Sequence, residues 1–148
     1  MLRHMIPLTL TDITQAVRSS WAADTCSADD LARSPWTTEN PAWGHCDITA
    51  LVVHDFFGGE LLVGEVHLDG EQHGYHWWNR LSSDIEIDLT HEQFKRGQVV
   101  SGSRAVQRPV GRPPRRGDEY ELLRDRVWRT LGRTPAQVNG SAAPTNRL

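Results

Sequence analysis

A chain of 148 residues has the material for one domain with a sizeable core, and it contains no apolar run of about 18 residues that could cross a bilayer as a helix. The formal charge of −3 hides a division: residues 1–94 hold 4 Lys+Arg against 15 Asp+Glu, and residues 95–148 hold 12 against 4. Opposed halves of this kind either complement each other within one fold or leave a basic segment to meet an anionic partner.

At the start, Met1-Leu2-Arg3-His4-Met5-Ile6-Pro7 is followed by neither a long apolar region nor a small-residue cleavage site, so cytoplasmic residence is the default expectation. Thr9 or Thr11 can cap a first helix running through Asp12 to Trp21, with Leu10, Ile13, Val17 and Trp21 on one stripe. Residues 22–44 are rich in Asp, Ser, Thr and Pro and read as an irregular connection, with Trp36 and Trp43 as packing anchors or pocket walls.

A second helix is predicted from His45 to Phe57, mostly buried and stopped by Gly58-Gly59. Three strand-like runs follow, Glu60 to Leu68, Gly74 to Leu81 and Ile85 to Leu89, and their short connections favour an antiparallel meander. Thr90 to Phe94 reads as a helical turn with Thr90 as cap and Gln93 at the capping-box position. The basic stretch at about 97–116, broken by Pro109, Pro113 and Pro114, is expected to be an extended, mobile loop. Asp118 to Leu131 then forms a last helix stopped by Gly132, closing a single α+β domain over residues 1–131, with 132–148 as a disordered tail.

Chemistry centres on Cys46, delivered by the Pro- and Gly-containing run Asn40-Pro41-Ala42-Trp43-Gly44-His45 to the start of an apolar helix. A helix N-terminus stabilises a thiolate and lowers its pKa; the alternative is a buried cysteine acting as a small hydrophobe. A thiolate nucleophile needs a base, and the base needs a group to fix its tautomer. His76 and Asp88 lie on successive predicted strands. A three-residue connection, Ser82-Ser83-Asp84, pairs Leu81 with Ile85 and Trp78 with Asp88, leaving His76 diagonal to Asp88 on the same face. Read singly, His76 could instead be a satisfied core histidine and Asp88 a structural cap.

The residues Trp21, Trp36, Asn40 to Cys46, Thr49 to Val53, Asp55, Phe57-Gly58-Gly59, His76-Trp77-Trp78-Asn79-Arg80-Leu81, Ile87 to Thr90 and Glu92-Gln93-Phe94 together resemble the YunG-like family of small bacterial proteins. A looser similarity is to the transglutaminase-like branch of the papain-like cysteine enzymes. That resemblance implies a papain-like core, in which the Cys helix packs on a small antiparallel sheet, with Cys46 as nucleophile, His76 as base and Asp88 as orienter. This chain has His45 where the YunG-like pattern places Gln before the Cys. A neutral imidazole still offers one N–H, so His45, Trp43, Asn40 and Trp78 are the candidate oxyanion or substrate contacts beside the Cys46 main chain.

The function expected is cysteine-dependent acyl transfer, hydrolytic or amide-forming, on a small acyl or peptide-like substrate. The alternative is a non-catalytic ligand- or protein-binding member of the same fold. Combining His45 and Cys46 with His73, His76 or Cys26 matches no closed zinc spacing, and no metal or cofactor is expected. The basic stretch lacks aromatic residues for base stacking, so nucleic acid is not the expected partner.

Overall fold

The computed structural model describes residues 7–82, 84–94 and 97–132; of the expected tail at 132–148, residues 133–148 lie outside the described residues. Helix α1 (Leu10–Ser20) starts at Thr9, whose hydroxyl accepts the Asp12 N–H while the Asp12 carboxylate accepts the Thr9 N–H, a reciprocal capping box. Ile13, Ala16 and Val17 face the core, and Trp21 just beyond the helix donates its indole N–H to Thr49 Oγ1 at 2.9 Å. Leu10, expected on that stripe, is exposed in the first turn.

The connection expected to be irregular holds a 3-10 turn, Ala23–Thr25, and the short helix α2 (Ala28–Arg33), capped by Ser27. No residue of α2 is buried, so it carries no apolar stripe for a sequence reading to detect. The tryptophans here are anchors: Trp36 donates to Pro41 O at 3.0 Å and Trp43 to Ser34 O at 3.1 Å. Helix α3 (Cys46–Phe57) is the central element, with Ile48 to Val53 buried, and it ends where Gly58 adopts φ +66°.

Four strands make one antiparallel sheet in the order β3-β2-β1-β4: β1 (Glu60–Leu68), β2 (Glu71–Arg80), β3 (Glu86–Ile87) and β4 (Val99–Val106). Strand β4 corrects the expected loop. It lies at the sheet edge with most residues exposed, so it lacks the inside–outside alternation of a half-buried strand, and its partner β1 is distant in sequence. Leu61, Trp77 and Val106 join the core cluster formed with α1, α3 and α4, and Asn79 donates to Ala50 O at 2.9 Å. The helices therefore cover the sheet face carrying Leu61, Trp77 and Asn79. By strand alternation, Leu62, His76 and Trp78 point to the other face.

Helix α4 (Gly117–Thr130) completes the helical layer through Tyr120, Leu123, Val127 and Trp128, and Gly132 at φ +68° follows it. The charge division is settled partly within the fold. Arg108 pairs with Asp55 at 2.6 Å and bonds Tyr120, whose hydroxyl donates to Asp55 at 2.6 Å, tying the chain after β4 to α3 and α4. Arg112 pairs with Asp118 and Glu121, Arg115 with Asp29, and Arg116 with Asp47. The exposed pairs of Arg112 and Arg115 contribute little stability, about 0–1 kcal/mol each, but they hold the proline-rich segment against the body.

Candidate active site

The three-residue connection sets the register that the site needs. Leu81 N–H donates to Ile85 O at 2.8 Å, and Asn79 faces Ile87 across the β2–β3 pair. Extending that register places Asp88 opposite Trp78 and diagonal to His76, and His76 Nε2 lies 2.6 Å from Asp88 Oδ2. Asp88 Oδ1 accepts the Thr90 N–H at 3.2 Å and the Thr90 hydroxyl at 3.4 Å. Asp88 itself lies one residue beyond β3.

His76 is 1% exposed and confined on every side. Trp78 stacks on it at 5.6 Å with an 18° tilt, Phe94 meets it edge-on at 4.5 Å, and the Gln93 amide is 3.0 Å from Nδ1. Trp78 in turn donates its indole N–H to Glu86 at 2.6 Å, so it orients the imidazole instead of lining the cleft. An ionised carboxylate only accepts hydrogen bonds, so facing Asp88 the Nε2 carries the proton and Nδ1 accepts from Gln93.

The role expected of Gln93 as a capping-box residue is corrected by this arrangement. Residues His91–Gln93 form a 3-10 turn, Thr90 makes no side-chain cap bond, and the Gln93 amide is directed at His76 instead. A buried imidazole with an open acceptor outweighs a weak local cap.

Cys46 opens α3 on the wall of a cleft of about 680 Å³. Tyr75 and Trp77 of β2, Asp30 of α2 and Arg116 before α4 also line it. Cys46 keeps partial exposure there, yet the protein crowded around the sulfur pushes its thiol up to about 12. The Asp47 carboxylate pushes in the same direction, whereas hydrogen bonding from the Trp77 main chain and the Gln93 side chain opposes both. The lowering expected from the helix N-terminus is therefore outweighed, and the resting group is a thiol. Cys26 is also free, and burial with the nearby Asp30 raises it to about 11.

His45 does not supply an oxyanion donor. It is fully buried, with Nδ1 2.8 Å from Trp43 O and Nε2 2.7 Å from Thr25 Oγ1. A carbonyl only accepts, so Nδ1 carries the proton, while Nε2 faces the Thr25 hydroxyl, which also lies 3.0 Å from Ala22 O, and no ring N–H is left for the cleft. The Trp43 indole is spent on Ser34 O, and Asn40 serves the turn whose carbonyl accepts the Trp43 N–H at 3.2 Å. Neither His45, Trp43 nor Asn40 lines the cleft.

Burial lowers His45 from 6.5 to about 4. Between those values the unfolded chain binds a proton that the fold excludes. The contribution is complete above about pH 6.5 and is lost as the pH falls toward about 4, at no more than about 1.4 kcal/mol per pH unit. Urea midpoints measured at pH 7 and pH 5 are expected to fall more steeply in the wild type than in His45→Gln; equal slopes would remove His45 as the source.

Among the described residues, no group of three or more His, Cys, Asp and Glu is placed to hold a metal ion, and no helix is long and apolar enough to cross a membrane. The site defines a class: an α+β protein with a cysteine at the start of its central helix and, on the sheet that helix packs against, a hydrogen-bonded His–Asp pair whose His is buried and whose Asp is half-buried. The family model described as YunG protein matches residues 9–132, and the chain belongs to that family. It is 37% identical over 62 residues to the uncharacterized protein YunG of Bacillus subtilis (strain 168), covering 42% of this chain and 49% of that protein. The chain thus spans about half the length of the curated relative it matches. No solved structure matches it.

Proposed function

We propose that the protein is a cysteine-dependent acyl-transfer enzyme of the papain-like, transglutaminase-like kind, acting on a small acyl or peptide-like substrate. The observation that carries this reading is the His76–Asp88 pair at 2.6 Å, with His76 buried and Asp88 half-buried, in a sheet packed on the helix whose first residue is Cys46. A base with its tautomer held by a carboxylate is what a thiol nucleophile requires. Cys46 attacks the carbonyl, His76 Nδ1 takes and returns the proton, and Asp88 holds the ring. The main-chain N–H of Cys46, at the start of α3, serves the developing oxyanion. Water as acceptor gives hydrolysis, and an amine gives amide formation. Tyr75 and Trp77 on the cleft wall suit an apolar or planar acyl group.

A second reading, ligand binding without turnover, is favoured by the thiol raised to about 12 and by the occupied Nδ1. A panel of activated esters, thioesters and glutaminyl peptides, with intact-mass detection, separates the two. A covalent adduct on Cys46, absent in Cys46→Ala and in His76→Ala, is the expected result. Adduct confined to Cys26, or none at all while a panel member still binds, would leave the binding module standing.

A further inference from the structure

Gln93 is hydrogen-bonded to the proposed base. The residue is 8% exposed, its amide lies 3.0 Å from His76 Nδ1, and its hydrogen bonding is one of the influences that oppose the rise of the Cys46 thiol. Nε2 of His76 is committed to Asp88, so Nδ1 is the nitrogen left for proton transfer, and a Gln93 N–H fills its lone pair. An amide N–H that fills this lone pair cannot itself deliver a proton to it. The resting site is thus closed to proton transfer by its own side chain. The site also needs a side-chain donor for an oxyanion, and His45 and Trp43 have no N–H to spare.

We infer that Gln93 is a substrate-displaced latch: its amide N–H holds His76 Nδ1 in the resting protein and moves onto the acyl oxygen when a substrate enters. This inference rests on the acyl-transfer reading. In the step it serves, the Cys46 sulfur forms a bond to the carbonyl carbon and its proton passes to the vacated Nδ1. The carbonyl π pair moves to oxygen, which accepts from Gln93 and from the first turn of α3. On collapse the C=O re-forms, the leaving group departs with the pair of the broken bond and takes the proton from Nδ1, and Gln93 returns.

The device makes Cys46 unreactive until an acyl group is in place. A thiol in a cleft that also admits solvent electrophiles is protected by such an arrangement, and only a ligand able to accept the Gln93 N–H releases it.

The test is alkylation of Cys46 by iodoacetamide across pH, with Cys26 as internal reference, in wild type, Gln93→Met, Gln93→Asn and Gln93→Met/His76→Ala. Methionine has similar length and no N–H; asparagine keeps the amide but shortens its reach. The charged groups around the thiol stay in place throughout: Asp47 on its own helix, Asp30 from α2, Arg116 paired with Asp47, and Asp88 behind His76.

Freeing Nδ1 lets the thiol share its proton with His76, so alkylation at pH 7 is expected to rise by roughly threefold to at most about tenfold for each unit by which the thiol pKa falls. The rise should vanish in the double variant. Acyl-adduct formation should fall roughly 10²–10³-fold in the same single variants, through loss of the oxyanion donor. Alkylation unchanged in both single variants, each folded by circular dichroism, would overturn the latch. A rise that survives without His76 would also overturn it, as simple opening of the site. Because alkylation needs no acyl substrate, it decides the latch even where the panel above yields no adduct.

Discussion

Replacing Asp88 by Asn is expected to slow acylation of Cys46 by roughly 10³–10⁴-fold, although the two side chains have nearly the same shape. The reason lies in which atoms can accept. Oδ1 of Asp88 takes the Thr90 N–H at 3.2 Å and the Thr90 hydroxyl at 3.4 Å, so an Asn at this position keeps its oxygen there and turns its NH₂ toward His76. Nε2 must then accept, and the ring proton moves to Nδ1. That is the nitrogen meant to receive the thiol proton, so the base is lost without any ligand being removed. Histidine ¹⁵N shifts read the change of tautomer directly, and the adduct rate on Cys46 reads its consequence. An Asn variant with the wild-type tautomer and rate would sink the role assigned to Asp88. His76→Ala should lose the same rate with Cys46 still alkylated at high pH, separating loss of the base from loss of the nucleophile.

The placement of His76 against Asp88 was legible because it depends on local counting. Once Ser82-Ser83-Asp84 is taken as a three-residue connection, strand alternation leaves one diagonal, and the Leu81–Ile85 hydrogen bond at 2.8 Å realises it. Helix α3 was legible within a residue for a similar reason, since its apolar run is bounded by Gly44 and by Gly58-Gly59. Strand β4 was not. Its residues are mostly exposed, its middle holds Gly102, and the β1 partner that makes it a strand lies some 40 positions away.

Gln93 escaped for the opposite reason, because a plausible local signal was present. Its spacing from Thr90 spells a capping box, and only the buried Nδ1 of His76, known once the chain is folded, redirects the amide. The same holds for His45 and for the Cys46 thiol. A residue before a nucleophile suggests an oxyanion donor until Thr25 and Trp43 O are seen to occupy its ring. A helix start suggests a thiolate until the crowding around the sulfur and the Asp47 charge are counted. Helix position is a local property, whereas desolvation sums over the whole fold, and here the sum is the larger effect.

That dependence on packing makes Gly44→Ala the most damaging single-methyl change expected in the site's scaffold, at about 3 kcal/mol of stability. Gly44 sits at φ +74°, which an alanine adopts only with strain, and a Cβ there would lie 2.3 Å from Cys26 Sγ and 3.0 Å from Ser27 N. Its carbonyl is a junction: it accepts the Ser27 N–H at 3.0 Å and an Arg116 N–H at 2.9 Å, and Arg116 also bonds Thr25 O at 3.0 Å. Moving Gly44 to relieve the clash therefore shifts the entry to α3, the start of α2 and the arginine that closes one side of the cleft. The steric share of the cost is separable from the conformational share. Cys26→Ala removes the sulfur that the new methyl would strike, so Cys26→Ala/Gly44→Ala should recover about 1–2 kcal/mol relative to the sum of the single variants, while the φ penalty stays. Urea unfolding of the four proteins measures that coupling. Strict additivity would mean that Cys26 is not what Gly44 makes room for, and the close approach of these two segments would then have no part in holding Cys46 at the cleft.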